Sequence, residues 1–350
     1  MRRRSLMLAA PGLALGLPAW PLPAARLEFP RDHGAHPDFR TEWWYITGQA
    51  RAGQREFGFQ VTFFRSRVDG TQGMTSRFAA KQLVFAHAAV TDVQGRRLWH
   101  DQRIAREGFE VAVAGEGDTR LRLRDWSLER NADGYRARVT AADFTLELQF
   151  ALTQPLLLQG AQGLSRKGPQ PEQASYYYSR PQLATSGALT LRGQRFEVAG
   201  KAWLDHEWSQ EYLHRDAVGW DWIGMNLDDG SALTAFRLRR QDGSTLWDGG
   251  SFRSSPDGSL YTFSPGEVTF SPQRRWTSPL SRAAYPVEWI VRTPADFYTV
   301  KAVIDNQELD SRGSTGAIYW EGLSHLFDSN GKLVGRGYLE MTGYAQRLRM

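Results

Sequence analysis

The sequence predicts an all-β fold, two antiparallel β-barrels in tandem, and three observations carry that prediction. Glycine (34 residues) and aromatic side chains (12%) are plentiful, while no long stretch shows helical periodicity, a combination that favours many short strands joined by turns. Segments that alternate apolar and polar residues follow one another closely through the chain. The two halves also resemble each other. Gly200-Lys201-Ala202-Trp203-Leu204-Asp205 returns as Gly335-Arg336-Gly337-Tyr338-Leu339-Glu340, and Trp43-Trp44-Tyr45-Ile46-Thr47-Gly48 followed by Phe57 to Arg65 matches Trp220-Asp221-Trp222-Ile223-Gly224-Met225 followed by Ala232 to Arg240. A duplicated unit within 350 residues gives two domains of about 150 each, the usual modal size.

In chain order, residues 1–25 read as a signal peptide. Arg2 to Arg4 form a basic start, Leu6 to Leu17 an apolar stretch, and Ala24-Ala25 the small residues before a cut. Arg3-Arg4-Ser5-Leu6-Met7 loosely fits the twin-arginine pattern, so the expectation is export to the periplasm. The first domain is expected over 26–206. It opens with a polar loop, Phe29 to Glu42, that carries His33 and His36. Phe57 to Phe64 then alternates, with Phe57, Phe59, Val61 and Phe63 on one face and Gln60 and Thr62 on the other. Strands follow over 83–92, 97–104, 107–114, 119–128, 135–140 and 143–150. A long Gly-, Pro-, Gln- and Ser-rich loop from Gln154 to Gln182 precedes a closing hairpin over 187–192 and 195–204. The second domain, 207–350, repeats the rhythm from Val218 to the last strands near 317–326 and 333–344.

Two meanders of this size can remove their edges by closing into barrels, so the expected architecture is a lipocalin-like pair. A pair of β-sandwiches satisfies the same strand count, which does not distinguish closed from open sheets.

The formal charge of +5 falls to about +2 once Arg2, Arg3 and Arg4 are removed, and the remaining charges alternate in sign along strands, as in Arg120-Leu121-Arg122-Leu123-Arg124-Asp125. That is a solvated strand face rather than a nucleic-acid surface. With no cysteine there is neither a disulfide nor a thiolate nucleophile, and stability rests on core burial. No later run approaches the roughly 18 apolar residues of a spanning helix. No Gly-x-Ser-x-Gly elbow, Walker loop, dinucleotide fingerprint or zinc spacing occurs, which removes the common hydrolase, NTPase and dehydrogenase classes.

Asp205-His206-Glu207-Trp208 is the strongest local signal for chemistry. On an extended strand Trp203, Asp205 and Glu207 share one face, and Leu204, His206 and Trp208 the other. The acids and the imidazole therefore reach one cavity only if the strand ends or bulges there; otherwise a buried carboxylate at the domain junction is the reading. Asp32, His33, His36 and Glu42 form a second polar cluster with the composition of a divalent-metal site, although loop residues of these types also cap turns, and no metal is assigned. His87, in Phe85-Ala86-His87-Ala88-Ala89, fits a hydrogen-bonded core or cavity-wall histidine. The 13 tryptophans can line an apolar cavity or form the core.

Several motifs together resemble one family. Arg31-Asp32-His33-Gly34-Ala35-His36-Pro37, Thr41-Glu42-Trp43-Trp44-Tyr45, Trp203-Leu204-Asp205-His206-Glu207-Trp208, Gly219-Trp220-Asp221-Trp222, Tyr319-Trp320-Glu321-Gly322 and Gly337-Tyr338-Leu339-Glu340-Met341-Thr342-Gly343-Tyr344 look like the AttH family, relatives of carotenoid 1,2-hydratase (CrtC, hydroxyneurosporene synthase). The resemblance spans nearly the whole mature chain. It implies two lipocalin-like domains, an envelope location and association with an ABC-type exporter. In the carotenoid hydratases a His-x-Trp pair and a following Tyr-x-Asp pair are associated with catalysis. The first falls on His206 and Trp208. The second should lie on Ser231 to Arg240, which contains neither Tyr nor Asp.

Two functions follow. As an enzyme, the protein adds water to an alkene of a terpenoid, carotenoid or lipid-like substrate: Asp205 or Glu207 donates the proton, His206 handles water, and Trp208 with Trp44 or Trp222 faces the cation. As a carrier, it holds an apolar ligand for an ABC exporter, with peripheral membrane contact. Glu42, Trp44, Gln60, His87 and Trp222 are the expected ligand contacts, and neither reading requires a cofactor. Barrel closure should bring Asp205, His206 and Glu207 beside Glu42 and His87.

Overall fold

The computed structural model describes residues 22–23 and 26–348; the expected signal peptide lies outside them except for Leu22 and Pro23. The described chain is nearly all β. One sheet runs, in spatial order, through strands Arg97–Arg106, Gln82–Asp92, Arg55–Arg67, Thr41–Ala52, Gln194–Glu211, Ala174–Leu191, Phe144–Ala151, Gly134–Thr140, Trp126–Asn131, Arg120–Leu123 and Ala112–Ala114. A bridge between Gly108 and Ala112 and a bond from Glu107 N to Gln82 O draw its two ends together into a nearly closed barrel. The second sheet runs Leu260–Phe263, Thr245–Arg253, Ala232–Arg239, Gly219–Leu227, Leu333–Met341, Ala317–Phe327, Phe297–Ala302, Glu288–Arg292 and Thr269–Pro272. The expected border at 206/207 falls inside a strand: the first sheet reaches Glu211 and the second begins at Gly219.

In each barrel the first strand lies between its hairpin partner and the last strand, and the register fits an internal repeat. Asp205 stands opposite Tyr45 and Glu340 opposite Trp222, so the matches read at the first and last strands agree with each other residue for residue. The second strands slip by one: Tyr45 faces Thr62 and Trp222 faces Phe236, where the sequence match pairs Thr62 with Arg237. The connecting turns differ in length, and a one-residue slip reverses which face each side chain takes.

Burial shows what each strand borders. Arg120–Leu123 and Phe144–Ala151 alternate buried and exposed residues, the pattern of a sheet with one face in water. Thr41–Ala52, Arg55–Arg67 and Gln82–Asp92 are buried on both faces over most of their length. Their inner face carries Trp44, Ile46, Phe57, Phe59, Val61 and Phe63, which with Trp126 fill the first barrel; each such side chain contributes about 1.5–3 kcal/mol on burial. The second barrel is filled around Tyr285, Trp289 and Trp320. A third apolar layer, with Tyr45, Trp203, Trp222, Leu323 and Tyr338, lies between the barrels. At Gly58 a Cβ would sit 2.8 Å from Tyr338 Oη and 2.9 Å from Leu323 Cβ, so the bare backbone lets the barrels meet.

Candidate functional site

The two-residue period of the strand Gln194–Glu211 splits the Asp205–Trp208 motif. His206 and Trp208 point into the first barrel, while Asp205 and Glu207 point out of it, toward the second. There they line a cavity of about 310 Å3 between the barrels. The first barrel supplies Trp43, Tyr45, His87, Tyr177, Asp205 and Glu207; the linker supplies Tyr212; the second barrel supplies Trp220, Trp222, Tyr319, Glu321 and Glu340.

Asp205 accepts hydrogen bonds from Tyr177 Oη (2.8 Å), Ser179 Oγ (2.5 Å) and Trp203 Nε1 (2.7 Å). These donors favour its ionised form, yet full burial outweighs them, Glu207 adds repulsion, and its pKa is pushed up to about 7. Glu340, the repeat counterpart, is also pushed up to about 7, by burial first and by the charges of Asp205 and Glu207. Glu321 is raised well above the usual carboxylate range by burial and by Glu340; Gln60 Nε2 donates to its Oε2 at 2.9 Å. Glu207 is raised by burial, against the opposing charge of Lys167, whose ammonium lies 2.9 Å away. His87 is held neutral by burial, its pKa down to about 3, with Nδ1 2.8 Å from Tyr319 Oη and Nε2 2.8 Å from Ser314 Oγ.

The other face of the motif closes one end of the first barrel. His206 Nε2 lies 2.9 Å from Glu42 Oε1, and His36 Nδ1 lies 2.7 Å from the same oxygen. Arg65 Nε donates to Glu42 Oε2 at 2.8 Å, and Asp32 Oδ1 lies 3.2 Å from His36 Nε2. His206 stacks on Trp44 and His36 on Trp208. Burial would raise the Glu42 pKa, but the bonds from His206 and His36 outweigh it and hold it well below the usual range. Burial lowers the pKa of His206 to about 4. A neutral His206 must donate through Nε2, leaving Nδ1 to accept from Tyr178 Oη at 3.2 Å. His36, Glu42 and His206 bring ligand-type atoms within 4.8 Å of one another. Their spacings are those of hydrogen bonds, and a guanidinium occupies the remaining carboxylate oxygen, so the cluster satisfies itself and pins the Phe29–Arg40 loop into the barrel mouth.

The AttH-like family matches residues 21–344. The chain belongs to that family. It is 47% identical to an AttH protein of known crystal structure from Nitrosomonas europaea, with a TM-score of 0.86 over 92% of this chain and 98% of that one. Kievitone hydratase from Nectria haematococca shares the fold at 12% identity, with a TM-score of 0.71 over 92% of this chain and 94% of that one. CghA, solved with Sch210972, shares it at 13% identity, with a TM-score of 0.56 over 89% and 90%. No functionally curated protein matches the chain in sequence.

In this AttH-like protein the structure brings Asp205, Glu207, His87 and Trp222 into one cavity, with Gln60 behind its wall supporting Glu321. It does not bring His206, Trp208 or Trp44 there, because their side chains point into the filled barrel; Glu42 borders the cavity, but its carboxylate is committed to His36, His206 and Arg65. Sequence reasoning missed Lys167, Glu321 and Glu340 as site residues. For Glu340 the signal was present, because the internal repeat places it in register with Asp205. Lys167 lies in a long loop, and nothing local marks it as the buried partner of Glu207; it is 1% exposed.

Proposed function

We propose that this AttH-like protein holds an apolar ligand, of terpenoid, carotenoid or lipid type, between its barrels and adds water to one of its double bonds, a hydro-lyase reaction of the carotenoid 1,2-hydratase kind. The observation that carries this reading is the set Asp205, Glu321 and Glu340, carboxyls without a cationic partner set in an aromatic wall. Protonating an isolated alkene requires a carboxylic acid kept neutral near pH 7 and π faces for the developing cation. Asp205 or Glu340 transfers its proton to one alkene carbon. Water then bonds to the cationic carbon and returns a proton to the carboxylate, so acid and charge are both restored. His87, neutral and with both ring nitrogens tied to Tyr319 and Ser314, orients these two hydroxyls on the cavity wall, and they take the water-positioning role first expected of His206. A cavity of about 310 Å3 lies at the small end of ligand sites, so it takes a short ligand or one end of a long one. The shared fold of kievitone hydratase, named for adding water to its substrate, agrees with this reading.

A second reading, a non-catalytic carrier serving an ABC exporter, is favoured by the strand Ala232–Arg239. It lacks the Tyr-x-Asp pair, and its Arg237 is bound to Asp221 at 2.7 Å. Both readings place the mature chain in the periplasm after removal of residues 1–25. Incubation with squalene or an acyclic carotenoid in 18O-labelled water, followed by mass spectrometry, separates them. A labelled product heavier by one water, lost in Asp205→Asn or Glu340→Gln, supports the hydratase. Tight binding without conversion supports the carrier, and no binding overturns both.

A further inference from the structure

We propose that the interdomain cavity selects ligands bearing a positively charged nitrogen, an alkylammonium or quaternary ammonium group on an apolar tail. The inference rests on the assignment of this cavity as the ligand site and not on catalysis.

The charges on its walls are unbalanced. On the first barrel, Arg65 is consumed by Glu42, by Gln82 Oε1 at 2.7 Å and by the Phe39 carbonyl at 2.8 Å. Lys167 is consumed by Glu207 and lies over the rings of Tyr177, Tyr212 and Phe236. His87 is neutral. That leaves Asp205 from the first barrel and Glu321 and Glu340 from the second, with no cation among the described lining residues to pair with them.

A second, independent observation points into the same space. Tyr45 Oη and Glu321 Oε1 both belong to cavity-lining residues, 6% and 2% exposed; the two side chains face each other, yet neither atom has a partner within hydrogen-bond distance. A buried polar atom left unpaired costs about 1–3 kcal/mol, which a ligand supplying N–H donors or a diffuse positive charge would offset. The rings around this space stand edge to face: Tyr45 on Trp222 at 5.5 Å, Trp43 on Tyr212 at 5.0 Å and Tyr212 on Trp220 at 5.5 Å. Aromatic faces combined with unpaired carboxyls are the surroundings in which organic ammonium groups are bound. An anionic head would meet three acids and no free cation among the described lining residues, and a neutral one would leave any ionised acid without a counter-charge.

Cation binding favours ionised carboxyls, so protons leave as the ligand enters. Affinity for a permanent cation should therefore rise as pH passes through about 7, the value to which Glu340 is pushed. Tyr45, Tyr177, Tyr212 and Tyr319 stay neutral across that range, their pKa values raised by burial.

The test is isothermal titration of the full mature chain with octyltrimethylammonium, octanol and octyl sulfate between about pH 6 and pH 8. The ammonium is expected to bind about tenfold or more tightly than octanol, with proton release and an affinity that rises with pH. Glu321→Gln should remove that advantage while leaving octanol binding intact, which also reports that the variant is folded. Equal binding of octanol or octyl sulfate, or an ammonium affinity unchanged in Glu321→Gln, overturns the inference. If none of the three binds, the assignment of the cavity falls with it. If alkene hydration fails while the ammonium binds as stated, the inference stands and only the catalytic reading is lost.

Discussion

Replacing Asp205 by asparagine should change stability by an amount that depends on pH, and the direction follows from the burial of the carboxyl. In the folded protein its pKa is pushed from 3.8 to about 7, a difference of about 4 kcal/mol between the two protonation states. The folded state holds the proton more tightly than the unfolded one. The stabilisation is therefore complete below pH 3.8 and is lost progressively as pH rises to about 7. Asparagine cannot ionise. It offers one carbonyl oxygen to Tyr177, Ser179 and Trp203 and turns an amide N–H toward a donor, at a pH-independent cost of about 1–3 kcal/mol. By about pH 5 the wild type has lost roughly 1.5 kcal/mol, and by about pH 8.5 the full 4. Between those values the variant should gain about 2.5 kcal/mol relative to wild type. Urea unfolding followed by tryptophan fluorescence at both pH values measures this directly. A stability gap that is constant, or that widens against the variant at high pH, would falsify the account: the three donors would then hold an ordinary ionised carboxylate, and Asp205 could not be the acid.

Glu42→Gln should destabilise the first barrel by about 3–5 kcal/mol near pH 7 by leaving Arg65 buried without its anion. Because the Glu42 pKa is depressed, its contribution is present above 4.5 and lost only as pH falls below that value, which acid titration of the wild type by circular dichroism can follow. Gly58→Val should push Tyr338 and Leu323 away at the barrel contact at a cost of about 1–3 kcal/mol, read as a lower thermal midpoint with weakened ligand binding. N-terminal sequencing of protein recovered from the envelope should begin near Arg26, and a full-length cytoplasmic product starting at Met1 would remove the export proposal.

The motif Asp205-His206-Glu207-Trp208 shows where sequence reading succeeds and where it stops. The period of a strand sends its odd and even members to opposite faces, and the sequence carried that split. It did not carry which face belonged to a cavity. The expectation that all four converge on one site rested on barrel closure, which brings the last strand beside the first but does not say which of its faces meets a cavity. Trp44, Phe57, Phe59 and Phe63 instead fill the barrel, and the concavity forms outside it, where two convex surfaces meet. His87 was read as a hydrogen-bonded core or cavity-wall histidine; it is buried at the cavity wall with Tyr319 and Ser314 supplying partners for its imidazole across the interface.

The all-β class, the tandem arrangement, the pairing of first with last strands and the equivalence of Asp205 with Glu340 were determined by the sequence alone. Alternation, turn residues and repetition are properties of neighbours along the chain. Which carboxyls lose their counter-charge was decided only by the tertiary structure. Lys167 reaches Glu207 from a long loop and Arg65 meets Glu42 as its cross-strand neighbour, while Glu321 and Glu340 arrive from the second barrel with no cation. A raised pKa comes from what surrounds a group in space, and no periodicity along a strand encodes that.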